Sequence, residues 1–124
     1  MGGGENAGGR GDAETRGREV SYVRVWRFRP LPNRVAAFEE AYGPAGDWAR
    51  LFGTADGFLG TTLLKGEGDP AEYLTLDRWV SGEAYQTFRR ARDGEFRALD
   101  RRCETLTAQE EEVGEYEESS PAES

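Results

Sequence analysis

The chain has 124 residues, 36% of them hydrophobic, enough for one domain with a buried core, and its formal net charge is −8. It has no histidine and one cysteine, Cys103, which excludes an internal disulfide, a Cys-His dyad, a Ser-His-Asp triad and the usual His-based zinc sites. No run approaches the ~18 apolar residues of a membrane span and no signal-peptide core opens the chain, so a soluble cytoplasmic protein is expected.

Residues 1–19 hold seven glycines and no aromatic residue, and are expected to form a disordered tail. Val20 to Arg29 alternates aromatic and β-branched residues and is closed by Pro30 and Pro32, which predicts a strand. One face carries Tyr22, Arg24, Trp26 and Phe28, the other Val23, Val25 and Arg27. Asn33 is the expected N-cap of a helix with Val35, Phe38 and Tyr42 at helical spacing. After the Gly43-Pro44-Ala45-Gly46 break, Asp47 is expected to cap a short helix presenting Trp48, Leu51 and Phe52. Strands over Phe58 to Lys65 and Glu72 to Val80, joined by the Gly66–Pro70 turn, predict an antiparallel hairpin.

Ser81 is the expected cap of the next helix, with Ala84, Phe88 and Ala91 on one side and Tyr85 beside them. Asp93-Gly94 interrupts it, and Phe96, Leu99, Cys103 and Leu106 continue as a core stripe. A last strand is expected at Gln109 to Tyr116. The order βα(α)ββα(α)β is the ferredoxin-like α+β plan, a four-stranded antiparallel sheet with helices on one face. The domain is placed at residues 20–117, and residues 118–124 are expected to be a disordered acidic tail.

Charge is unevenly distributed. Val20 to Ala108 holds thirteen basic and thirteen acidic residues, whereas Gln109 to Ser124 holds seven Glu and no base. No basic cluster tracks phosphates, so nucleic acid is not an expected partner. Glu110, Glu111 and Glu112 suit a sheet edge, where charge discourages unwanted strand pairing. Both faces of the central strands are apolar: Val23, Val25, Leu74 and Leu76 on one, Tyr22, Trp26, Tyr73 and Trp79 on the other. Helices cover only one face, so the other predicts a homodimer.

Several segments in this order and spacing resemble the antibiotic biosynthesis monooxygenase family: Val23-Arg-Val-Trp26, Phe38-Glu-Glu-Ala-Tyr42, Trp48-Ala-Arg-Leu-Phe52, Gly57-Phe-Leu-Gly60, Asp77-Arg-Trp79-Val-Ser-Gly-Glu-Ala-Tyr85 and Glu112-Val-Gly-Glu-Tyr116. The resemblance implies a dimeric α+β barrel with a pocket between sheet and helices in each subunit. It also implies oxidation of aromatic polyketide phenols or quinols by molecular oxygen with no metal, flavin or other cofactor. Haem-degrading relatives place an Asn on the first strand and a His on the helix after the strand-three Trp. Here those positions hold Trp26 and Arg89, which argues against haem degradation.

Trp26 and Trp79 are read either as a stacking wall for a flat aromatic substrate or as core, with Tyr73 on the same face as a third substrate-binding candidate. Asp77, two residues before Trp79, is a candidate general base, or else a partner for Arg24. Arg89 is a candidate to hold a phenolate or nascent superoxide, or else a solvated helix residue. Cys103 reads as packing, and Tyr116 as a contact to a partner copy or to the tail. Two functions remain open: a cofactor-free oxygenase, or a non-catalytic dimeric module that binds a small molecule or serves a biosynthetic pathway.

Overall fold

In the computed structural model, residues 20–119 are described; both predicted tails fall largely outside them. The elements run β1 (Val20–Pro30), α1 (Val35–Tyr42), α2 (Asp47–Phe52), β2 (Phe58–Lys65), β3 (Tyr73–Trp79), α3 (Gly82–Ala91), α4 (Asp93–Cys103) and β4 (Thr107–Ser119). Short 3-10 turns at Pro32–Arg34 and Glu104–Leu106 flank the helical segments. The strands form one antiparallel sheet in the order β2-β3-β1-β4, a ferredoxin-like α+β fold.

The two strands with the strongest apolar alternation, β1 and β3, take the centre, where both edges are paired and both faces are available for burial. Their register sets Tyr22 opposite Trp79, Arg24 opposite Asp77, Trp26 opposite Thr75 and Phe28 opposite Tyr73, and these residues share the helix-covered face. Against it pack Phe38 and Tyr42 of α1, Trp48 and Phe52 of α2, Tyr85 and Phe88 of α3, and Leu99 and Cys103 of α4. Trp79 sits at the centre of this core, fully buried, with the rings of Phe52, Phe58, Tyr85 and Phe88 within 5.1–5.5 Å.

The opposite face carries Val23, Val25, Leu74 and Leu76, with Leu64 opposite Leu74 and Tyr116 opposite Val23. Val23 is buried within the chain, Val25, Leu74 and Leu76 are half-buried, and Leu64 and Tyr116 are exposed.

The ends of the elements depart from the sequence reading in three places. Asn33 does not cap α1: it lies inside the 3-10 turn that Pro32 opens, and Arg34 takes the cap position without a side-chain hydrogen bond. Asp47 is the first residue of α2 rather than its cap, and its carboxylate bonds Arg50 and Arg102 instead. β4 runs past Tyr116, so that Glu118 and Ser119, expected in the tail, pair with Ser21 and Val20. The Ser81 cap is present, its Oγ accepting from the Ala84 amide at 3.0 Å. Gly57 takes the turn into β2 at φ +94°, where a Cβ would press on Ala84 and Val80 at 2.9 Å.

Candidate active site

Between the sheet and the helices lies a cavity of about 310 Å³, at the small end for a ligand site. Its floor is formed by the inward residues of the strands, Arg24, Trp26 and Phe28 from β1, Thr61 from β2, and Thr75 and Asp77 from β3. The helices supply Tyr42, Trp48, Phe52, Tyr85, Arg89, Phe96 and Asp100, and β4 closes one side with Glu110 and Glu112. Arg24, Tyr85, Arg89 and Glu112 also line an outer groove that adds Gln86, Arg90, Asp93 and Glu115.

Asp77 reaches this cavity because two-residue periodicity on β3 points Tyr73, Thr75, Asp77 and Trp79 the same way. The small Thr75 and Thr61 leave space that a larger side chain would fill. The Thr61 hydroxyl donates to the Asp77 carboxylate at 2.6 Å. Removal from water pushes the Asp77 carboxyl up to about 6, against the smaller opposing effects of Thr61 and of the Arg24 charge. A carboxyl with that affinity can take up and release a proton near neutral pH.

Arg24 stands opposite Asp77 in the strand register, yet its guanidinium goes elsewhere. It bonds Glu112 at 2.9 Å and the Tyr22 hydroxyl at 3.0 Å, and reaches Glu115 at 3.3 Å. The same guanidinium lies 4.2 Å from the centroid of the Tyr85 ring. The Tyr22 hydroxyl donates in turn to Glu115 at 2.7 Å. Arg89 is set by its helix: it pairs with Asp93 one turn on at 3.0 Å and lies 3.8 Å over Phe96. Its buried Nε has no hydrogen-bond partner among the described residues.

Asp77, Arg89 and Trp26 thus come together around one cavity, while Trp79 and Tyr73 do not line it. Trp79 lies in the core beneath α2 and α3. Tyr73 is buried against Phe38 and hydrogen-bonded to Glu39, and loss of water with that carboxylate's influence pushes its hydroxyl up to about 12. Sequence reasoning did not single out Thr61, Thr75, Tyr85 and Phe96 as site residues. The available signal was the pair of threonines at inward positions of otherwise apolar strands. Among the described residues no group of three or more Asp, Glu or Cys side chains is arranged to hold a metal ion, and no helix is long and apolar enough to cross a membrane.

The sequence profile of the antibiotic biosynthesis monooxygenase family matches residues 21–101, from the start of β1 into α4. The chain belongs to that family. No curated protein matches the sequence. The crystal structure of PA3566 from Pseudomonas aeruginosa is similar at a TM-score of 0.55 and 13% identity, over 82% of this chain and 95% of that one. At that identity the likeness concerns the fold. Within the family match fall Trp26, Asp77, Arg89 and every cavity residue of β1, β2, β3 and α1 to α4, whereas Glu110 and Glu112 of β4 lie beyond it.

Proposed function

We propose that this family member is a cofactor-independent monooxygenase that oxidises an aromatic or polyphenolic small molecule, of polyketide or quinol type, with molecular oxygen. The observation that carries the reading is Asp77, a carboxyl of raised proton affinity at an aromatic-walled cavity, bonded to Thr61 and left without the arginine that faces it across the sheet.

The substrate lies against Trp26, with Phe28, Trp48 and Phe96 completing an apolar enclosure. Asp77 takes the phenolic proton and Arg89 offers charge to the resulting oxyanion. The phenolate then gives one electron to oxygen, and the substrate radical and superoxide combine at carbon. For an anthrone-type substrate, the hydroperoxide loses water and leaves a ketone. Oxygen gains four electrons, all from the CH2 carbon as it becomes C=O, with one oxygen atom in the product and one in water. The chain's part is to bind, orient, deprotonate and exclude water.

The active form in this reading is a cytoplasmic homodimer joined through the sheet face of Val25, Leu74 and Leu76. A second reading, a non-catalytic dimeric binding or accessory module, draws on one observation: Trp79 fills the core instead of walling the cavity, which leaves the cavity small.

Fluorescence titration with naphthol- and anthrone-type compounds, followed by oxygen uptake, separates the two. The oxygenase reading expects quenching in wild type, its loss in Trp26→Ala, and at least 100-fold slower uptake with binding retained in Asp77→Asn. Binding without oxygen uptake by any such compound leaves the accessory module. Trp79→Ala is a folding control, expected to cost about 3–5 kcal/mol of stability.

A further inference from the structure

The strand that closes the cavity, β4, carries a bulge whose position bears on Asp77. Val25 pairs with Gly114 and Trp26 with Glu112, so Val113 is an extra residue in the ladder. Gly114 absorbs it at φ +157°, where an added Cβ would also lie 3.1 Å from the Tyr116 hydroxyl. In a regular strand Glu112 and Glu115, three apart, would point to opposite faces. The bulge turns both to the face of Arg24, and both carboxylates reach its guanidinium, at 2.9 and 3.3 Å.

The register would otherwise favour a different pair. Arg24 and Asp77 are cross-strand neighbours on one face, the arrangement in which opposite charges meet. The polar and titratable groups around this cavity are Arg24 on β1, Tyr42 on α1, Thr61 on β2, Thr75 and Asp77 on β3, Tyr85 and Arg89 on α3, Asp100 on α4, and Glu110 and Glu112 on β4. Of the two cations, Arg89 is engaged by Asp93 and Phe96. Arg24 is engaged by Glu112, Glu115, Tyr22 and Tyr85.

We infer that Glu112 and Glu115, brought to one face by the β4 bulge, are positioning residues that hold Arg24 away from Asp77 and so leave the Asp77 carboxylate free to accept a proton from a ligand in the cavity. This rests on Asp77 as the base, and gives part of the acidity of β4 a use beyond protecting a sheet edge. A salt-bridged Asp77 would be a much weaker base, because an arginine at contact distance lowers a carboxyl by about 1–3 pH units.

The test needs no substrate. The titration midpoint of the Asp77 carboxyl carbon is read by NMR in the full 13C-labelled chain, its signal assigned by its disappearance in Asp77→Asn. In Glu112→Gln/Glu115→Gln, Arg24 is released and the midpoint is expected to fall by about one pH unit. Removing two anions acts on Asp77 directly as well, so the same pair of substitutions is placed in an Arg24→Met background. There only the smaller, direct part of the fall is expected to remain. An unchanged midpoint in the first comparison, or an equal fall in the second, overturns the inference. Should the double variant fail to fold, Glu112→Gln alone decides, with a smaller fall expected because Glu115 still holds the guanidinium. Absence of oxygen uptake would remove the oxygenase reading and leave this titration result standing.

Discussion

Asp77 costs the fold something for being where it is. Its carboxyl ordinarily ionises near 3.8 and is pushed up to about 6 in the folded chain. The native state therefore binds more protons than the unfolded chain between those two values, and stability declines as pH rises through that window. Well below 3.8 the group is neutral in both states and the penalty is absent. Above about 6 it is full, on the order of 3 kcal/mol. Asp77→Asn, which keeps an oxygen to accept from Thr61, is expected to melt higher than wild type at pH 7, with the gap narrowing by pH 4. A gap that is constant with pH, measured by calorimetry at both values, would contradict the burial described. In the oxygenase reading, oxygen uptake needs the ionised carboxylate of the folded chain and is expected to rise with pH around a midpoint near 6. Asp77, Arg89 and Trp26 were readable as candidates because period-two and helical spacing assign a face. Depth was not readable. Tyr73 and Trp79 share Asp77's face, and the packing of α1 over the Tyr73 end and of α2 and α3 over the Trp79 end separates core from cavity.

The helix starts show how local chemistry competes. Ser81 and Asn33 carry the same expectation in sequence, and only Ser81 meets it, because nothing before it forces a turn. Pro32 places Asn33 within a 3-10 turn, one residue ahead of the cap position that Arg34 takes. Ser81→Ala is accordingly expected to cost about 1 kcal/mol and Asn33→Ala only a few tenths. Equal losses in paired chemical-denaturation curves would refute the distinction. The order of strands and helices was legible throughout, since each carries its own periodicity. The length of β4 was not, because glutamates have little preference for strands. What extends it is pairing with β1, where Arg24 and Arg27 meet Glu112 and Glu111, together with Arg78 of β3, which reaches Glu118 at 2.7 Å.

For the molecule as a whole, the open sheet face makes the assembly a direct consequence to check. Val25, Leu74 and Leu76 are half-buried and Leu64 and Tyr116 exposed on this face, an apolar group that shares it with Arg27, Thr62 and Arg78. Light scattering is expected to give a dimer for wild type and a monomer for Leu76→Glu, since a carboxylate there would be buried without a partner. A wild-type monomer at micromolar concentration would end the homodimer reading. The arginine–glutamate pairing of β4 carries a different consequence. That strand buries no side chain of its own, and beyond its backbone ladder it is held by ion pairs that lie partly in water. Such attraction reaches about 10 Å in 0.1 M salt and only about 3 Å in 1 M. In amide exchange, β4 is expected to lose protection as ionic strength rises while the β1–β3 ladder keeps its own. The closing wall of the cavity would then loosen with salt ahead of the rest of the sheet.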